Sequence, residues 1–281
     1  MFPRAIELNS QTIKVKKYYE NTDTSYQSWG NNNAYAMHYG YYDSKVQNHI
    51  DSLVEINQQI SRTAKLKKGS KILDAGCGVG ASSFWLARQF SCKVTGISIA
   101  DHQVRKAKST AKREGLQKLT EFQVQDFNQL SFPDNSFDVV WAQESYCHSE
   151  NMTLTIKEAN RVLKVGGLLI VADCFLVNNF IPSWQKMYLN FWMNGWAIPK
   201  LETAGSFYKT LTKNNFRVER KRDITSNIIP SSQEIYSRAI ENQKEKRNHI
   251  QVQHTNSCIY QKKCLDLNLW KYLIFISKKL P

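Results

Sequence analysis

KILDAGCGVGASSFWLARQF, residues 71–90, decides the reading of this chain. KILDA (71–75) is a short apolar run that stops at a glycine cluster, and residues 81–90 read as a helix, so the stretch is a strand, a tight loop and a helix in succession. Working outward, KVTGISI (93–99), LTEFQVQ (119–125), FDVVWA (137–142) and LLIVAD (168–173) read as further strands, with helices at 101–114 and 153–163 between them. Strands that alternate with helices imply a parallel sheet with right-handed crossovers. FRVERK (216–221) and WKYLIFIS (270–277) add two late strands. The expected fold is therefore α/β, a doubly wound, mostly parallel seven-stranded sheet. Val46, Ile50, Leu53, Val54, Ile56 and Ile60 place an amphipathic helix at 45–64, and further helices are expected at 201–213 and 232–248. Residues 1–43 and 176–200 are irregular and rich in aromatics, which suggests a helical, aromatic-rich cap. The expected organisation is an N-terminal arm and substrate cover at 1–64, a cofactor-binding core at 65–175, and a cap insertion with closing strands at 176–281.

With 281 residues, 42% hydrophobic and 22% charged, the chain is long enough for one α/β domain plus a cap. Lys and Arg number 38 against 24 Asp and Glu, a net charge of +14. That charge draws the chain toward polyanions and anionic lipid surfaces. Its short runs (Lys14, Lys16 and Lys17; Lys65, Lys67 and Lys68; Lys244, Lys246 and Arg247) are scattered, and none sits in a nucleic-acid-binding motif. No nucleic-acid partner is expected, and a peripheral membrane contact stays open. The N-terminus MFPRAIELNSQTIKVKK lacks the apolar core of a signal peptide, and a cytoplasmic location is expected. No two of the six cysteines have C-x-x-C spacing, so reduced thiols are expected. His249, His254, Cys258 and Cys264 are spaced H-x4-H-x3-C-x5-C, which fits no common zinc pattern, and no metal is expected.

The loop after the first strand is spaced G-x-G-x-G rather than the G-x-G-x-x-G of dinucleotide sites, and Ser98 stands where an acidic residue would take a ribose diol. A nicotinamide site is thereby disfavoured. ILDAGCGVGASSFWLA (72–87), VTGISIADHQV (94–104), FQVQDFNQLSFPDNSFDVVWAQES (122–145) and RVLKVGGLLIVAD (161–173) resemble, in order, the motifs of class I S-adenosylmethionine-dependent methyltransferases. The resemblance covers roughly residues 18–235. MHYGYYD (37–43) and RDITSNIIPS (222–231) look most like the branch that holds tocopherol, sterol and sarcosine/dimethylglycine methyltransferases.

The resemblance implies S-adenosyl-L-methionine as cofactor and assigns roles. Asp74, Gly76, Gly78 and Gly80 would hold the methionine moiety, Ser98 with Gln103 the ribose, and Asp126 the adenine amino group with Phe127 beside it; Gln143 would face the cofactor. The competing reading makes Asp74 and Asp126 helix-capping loop residues. His148 is the expected general base, because an ordinary histidine titrates near neutrality, and Glu144 is the second catalytic residue. Tyr26, Trp29, His38, Trp192 and Trp196 are expected as pocket walls, against the plainer reading that they pack the cap. The implied function is methyl transfer to a small molecule, favouring a hydrophobic acceptor such as an isoprenoid, terpenoid or other specialised metabolite methylated at carbon or oxygen. One alternative is N-methylation of a small amine such as sarcosine or dimethylglycine, which would need a clamp for the carboxylate. Another is a non-catalytic cofactor-binding partner subunit.

Overall fold

The central strands carry apolar residues at nearly every position, which is what a strand covered on both faces requires. In the computed structural model the neighbours along each strand divide between two cores. Ile72, Val139, Trp141, Ile170, Ile274 and Ile276 point to one side of the sheet, while Leu73, Val140, Leu169, Val171 and Phe275 point to the other. The structure describes residues 9–29, 36–46, 48–241, 243 and 248–281, without the side chains of 24 and 27–29.

The strands are β1 (Lys71–Ala75), β2 (Lys93–Ser98), β3 (Thr120–Val124), β4 (Phe137–Gln143), β5 (Leu163–Leu176), β6 (Phe216–Asp223) and β7 (Trp270–Lys279). They form one seven-stranded sheet in the order β3-β2-β1-β4-β5-β7-β6. All pairings are parallel except those of β7, which runs antiparallel to both β5 and β6. Strand order reverses between β1 and β4, and a doubly wound sheet places its ligand at that crevice.

The helices are α1 (Ser10–Trp29), α2 (His49–Ala64), α3 (Ala81–Phe90), α4 (Asp101–Arg113), α5 (Met152–Val162), α6 (Ser183–Gly195), α7 (Ala204–Lys213), α8 (Thr225–Glu241) and α9 (His249–Asp266). Helices α5 and α7 cover one face through Ile156, Ala159, Val162, Phe207 and Leu211. Helices α2, α3, α6 and α9 contribute to the core on the other. Their starts are chemically marked. Asn48, Asn151 and Thr203 accept from the backbone N–H groups of Asp51, Leu154 and Ser206, and Asn248 with Gln251 forms a capping box.

Four elements differ from the sequence expectation. The stretch 176–200, read as irregular, contains α6; α8 starts at Thr225, with Pro230 inside it. Helix α9 has little apolar periodicity because its inward face is polar. His254, Thr255, Ser257 and Gln261 are all buried, and Gln261 alone serves Tyr39 Oη, Ser232 Oγ and its carbonyl, and the Cys258 carbonyl. Strand β5 extends to Leu176 because β7 pairs with it that far, to Trp270.

Helices α6 and α9 meet at Gly195. A Cβ there would lie 2.0 Å from Ser257 Oγ and 2.4 Å from the Gln253 carbonyl oxygen. A hydroxyl can rotate away, but helix backbone cannot without the helices parting. Gly195→Ala should destabilise the fold by about 1–3 kcal/mol, the usual cost of overpacking. Urea unfolding checks this, and an unchanged midpoint would show that the two helices have slack.

Candidate active site

The carboxyl ends of β1, β2 and β4 open onto a cleft lined by Asp74, Gly76, Gly78, Ser98, Gln103, Asp126, Phe127, Gln143 and Glu144, among others. Asp74 is buried, and its Oδ2 accepts from Ser83 Oγ at 2.6 Å. Burial in this apolar crevice raises its carboxyl to about 7. The three loop glycines have φ of 99°, 53° and 98°, but only two of them line the cleft. Gly76 is required because a Cβ would lie 2.3 Å from Ser145 Cβ, and its N–H is spent on the Ile97 carbonyl at 3.0 Å. Gly80 does not reach the cleft. It precedes α3, where a Cβ would lie 2.8 Å from the Phe84 ring, so its role here is packing rather than ligand contact. At Gly78 a Cβ would meet only Met37 Sδ, at 3.3 Å, on the cleft wall.

The expected ribose pair is together. Ser98 Oγ donates to Gln103 Oε1 at 2.7 Å, and Gln103 Nε2 points to Met37 Sδ at 3.6 Å. Asp126 lines the cleft but also caps its own loop. Its Oδ1 accepts from Asn128 N and Nδ2 at 2.8 and 2.9 Å, and its Oδ2 from Thr12 Oγ1 of α1 at 2.9 Å. Oδ2 has capacity for one further donor. Phe127 packs on Tyr146 with centroids 5.3 Å apart. Gln143 is oriented by chemistry: the Trp141 indole N–H can only donate, so Oε1 faces it at 3.2 Å and also accepts from Ser82 at 3.0 Å. Gln143 Nε2 is left buried with no hydrogen-bond partner.

A second, smaller chamber adjoins the cleft, and Tyr19, Met37, His38, Glu144 and His148 line both. Its other walls include Tyr26 of α1, Trp192 and Trp196 of the α6 end, and Asp173. Four of the five expected pocket residues are thus brought together; the Trp29 side chain lies outside the described residues. Tyr35, Lys244, Lys246 and Arg247 also lie outside them.

Glu144 has a φ of 50°, which turns the chain sharply after β4. Its Oε1 accepts from the Tyr39 N–H and the Tyr272 hydroxyl, both at 2.8 Å. Burial nevertheless raises its carboxyl to about 8. His148 Nδ1 faces the Ala197 carbonyl at 3.2 Å and so carries the proton, while Nε2 accepts from the Tyr19 hydroxyl at 2.8 Å. Burial lowers this imidazole to about 4. The expectation of a histidine titrating near neutrality is therefore corrected. His148 is neutral at physiological pH, and its accepting nitrogen reaches the chamber through Tyr19. His38 repeats the logic: Nδ1–H donates to its neighbour's carbonyl, Tyr39 O, at 2.9 Å, and Nε2 is buried with no partner. Asp173 accepts from the N–H groups of Cys147 and Cys174 at 3.0 and 2.8 Å, and burial raises it to about 6.

Sequence reasoning missed Tyr19, Met37, Asp173 and Tyr272. Asp173 closes the segment read as the fifth strand from the sequence (168–173), a position that could have flagged it. Tyr19 was one of many N-terminal aromatics, and only the docking of α1 singles it out. The four possible metal ligands sit on α9, where His254 Nδ1 bonds Tyr18 Oη at 2.8 Å. Among the described residues no cluster of three metal-type ligands occurs.

Residues 73–171 match a family model described as a methyltransferase domain. The chain is 35% identical over 151 residues to 27-O-demethylrifamycin SV methyltransferase of Amycolatopsis mediterranei, covering 54% of each chain. It is 33% identical over 192 residues to 2-methyl-6-phytyl-1,4-hydroquinone methyltransferase of Synechocystis, covering 65% of this chain and 58% of that one. The chain thus spans about half the length of the curated relatives it matches. The solved structure of the (4+2)-cyclase SpnF superposes with a TM-score of 0.83 at 22% identity, covering 98% of this chain and 99% of that one, which shows a shared fold. Residues 73–171 thus match a methyltransferase domain, set in a fold that the whole chain shares with that structure.

The cofactor of such domains is S-adenosylmethionine, which carries an ammonium, a carboxylate and a sulfonium. The cleft offers donor and acceptor groups that suit it. The chain is strongly basic, yet among the described residues no Lys or Arg lines the cleft or the chamber, while Asp74, Asp126, Glu144, Glu150 and Asp173 line one or the other. The orphaned Gln143 Nε2 supplies a buried donor suited to a carboxylate, and Asp74 an acceptor suited to an ammonium.

The raised carboxyls make stability depend on pH in a definite direction. Glu144 rises from an ordinary 4.5 to about 8, so the native state holds a proton that the unfolded chain has lost. Stability must then fall as pH rises between those values. Asp74 and Asp173 act in the same sense but finish by about 7 and 6. Urea midpoints of the ligand-free protein should decline from pH 5 to pH 8, and Glu144→Gln should flatten the stretch above pH 7. A wild-type-like slope there in the variant would remove Glu144 as its source.

Proposed function

We propose that this chain is a cytoplasmic S-adenosylmethionine-dependent methyltransferase whose acceptor is a hydrophobic small molecule, methylated at oxygen or carbon. The observation that carries the proposal is the junction of two cavities, where a cleft bearing the family motifs and an aromatic chamber share Tyr19, Met37, His38, Glu144 and His148. Relatives named for a rifamycin and for a phytyl hydroquinone support an apolar acceptor. The absence of Lys and Arg from the residues described as lining the chamber counts against an amino acid such as dimethylglycine, whose carboxylate would need a cationic clamp. None of the six cysteines is in a disulfide, which suits a reducing compartment. In this reading residues 65–175 form the cofactor core, with the N-terminal arm and the segment after 176 as cover.

When bound, the cofactor supplies an electrophilic methyl group. The chain's own residues then align the acceptor, exclude water and move a proton. For a hydroxyl acceptor, its proton passes to the Tyr19 oxygen as the Tyr19 proton passes to His148 Nε2, and the Ala197 carbonyl steadies the resulting imidazolium. The His38 Nε2 lone pair is a second acceptor with which to orient that hydroxyl.

Two measurements test this. Calorimetry should show S-adenosylmethionine and S-adenosylhomocysteine binding, abolished by Gly78→Val, which puts a branched side chain on the cleft wall at a positive φ. Asp74→Asn should weaken binding by about 1.5–3 kcal/mol, the worth of a charge-assisted hydrogen bond. Full-strength binding by Gly78→Val would overturn the cofactor assignment.

The second uses an acceptor found by screening metabolites with an isotopically labelled methyl donor. Single-turnover methylation of a hydroxyl acceptor should fall about 10²–10⁴-fold in Tyr19→Phe and in His148→Ala, with the S-adenosylhomocysteine dissociation constant unchanged. Near-normal transfer by both variants would sink the relay and leave positioning as the main catalytic effect.

A further inference from the structure

Helix α6 turns two apolar faces outward from its axis, and only one of them is covered. Leu189 and Trp192 are buried against the core, and Trp192 with Trp196 walls the chamber. On the opposite side Trp184, Met187 and Phe191, spaced i, i+3 and i+7, are 53%, 48% and 49% exposed, and Phe180 just before the helix is 90% exposed. A surface helix ordinarily shows polar residues there, and a contiguous bare apolar patch marks an interaction site.

The charge around the patch says what covers it. Between Asp173 and Glu202 the sequence contains no Asp or Glu. Lys186 of the same helix is exposed. Lys263 of α9 lies 5.0 and 5.8 Å from the rings of Tyr260 and Tyr188, and Phe191 stacks on Tyr260 at 4.7 Å. Lys262, by contrast, is already paired with Asp266. Bare Trp and Phe flanked by lysines is the composition of a helix that lies in a lipid interface, with rings at the headgroup boundary and ammonium groups among the phosphates. A second copy of the chain fits less well, since a two-fold contact would set the same cations against themselves.

We propose that the outer face of α6, with Phe180, docks the protein on an anionic lipid surface and so brings the acceptor chamber beside the phase in which a hydrophobic acceptor dissolves. The proposal rests on the hydrophobic-acceptor reading and adds the surface through which such an acceptor is met.

The test is co-sedimentation of the full chain with vesicles of phosphatidylcholine, with and without phosphatidylglycerol. Binding should require phosphatidylglycerol and weaken with added salt. The triple variant Phe180→Ser/Trp184→Ser/Met187→Ser should bind at least about tenfold more weakly, since apolar burial scales interfacial affinity. Lys186→Glu should also weaken it. Lys67→Glu/Lys68→Glu, elsewhere on the surface, serves as the control for charge alone and should bind like wild type. Calorimetry with S-adenosylhomocysteine on every variant reports an intact fold. Undiminished vesicle binding by the triple variant overturns the proposal. So does a concentration-dependent dimer, seen by sedimentation, that the triple variant abolishes. Wild-type protein that binds S-adenosylhomocysteine but no vesicles overturns the docking face and leaves the transferase reading standing. Vesicle binding through α6 without S-adenosylhomocysteine binding does the reverse.

Discussion

The Glu144 carboxyl, turned inward at the end of β4, ties three distant parts of the chain to one point. It accepts from the backbone of Tyr39 in the N-terminal arm and from the hydroxyl of Tyr272 in the last strand, while its own backbone, at a φ of 50°, leaves the sheet. Both bonds are needed, because a buried carboxyl without donors is costly and a half-satisfied network is worse than none. Once Tyr39 is fixed, its neighbours Met37 and His38 are placed on the wall between the two cavities. The Tyr39 hydroxyl then reaches Gln261 at 2.8 Å and commits α9 as well.

This arrangement explains why the cover is polar inside. Helices α1 and α9 meet through Tyr18, Tyr26 and His254 rather than through an apolar seam. Hydrogen-bonded side chains fix one docking geometry where aliphatic packing would tolerate several. For a site assembled from a cover and a core, that uniqueness matters more than added stability, since a displacement of about 1 Å can misalign an in-line transfer.

Charge is divided between surface and interior in opposite senses. The chain carries a net +14, yet Asp74, Glu144 and Asp173 are gathered around cavities whose described lining has no Lys or Arg. Each of these carboxyls is raised by burial. A cationic ligand entering there would draw these carboxyls back to their charged form, whereas the outside favours anions, so the surface charge and the site answer to different partners.

The sheet was legible from the residues alone because strand periodicity, glycine placement and helix caps are local. KILDA and its glycine loop, the central strand segments and the Ser98–Gln103 pair lie within a few residues of the features that define them. Asp74, Gly76, Gly78 and Gln143 were named through the family resemblance, and they line one cleft because strand ends of a doubly wound sheet converge on one crevice. Gly80 shows the limit: a glycine reads the same whether it admits a ligand or an aromatic ring, and only the packing of Phe84 and Phe122 tells them apart. Helix α9 was hidden because its buried face is paid for by hydrogen bonds, which leave no apolar period. The state of His148, the pairing of Tyr19 with it, and the unpartnered lone pair of His38 come from contacts across more than a hundred residues or from burial. Protonation and hydrogen-bond direction depend on solvent exclusion by the assembled cover, a property of the tertiary structure that no single segment carries.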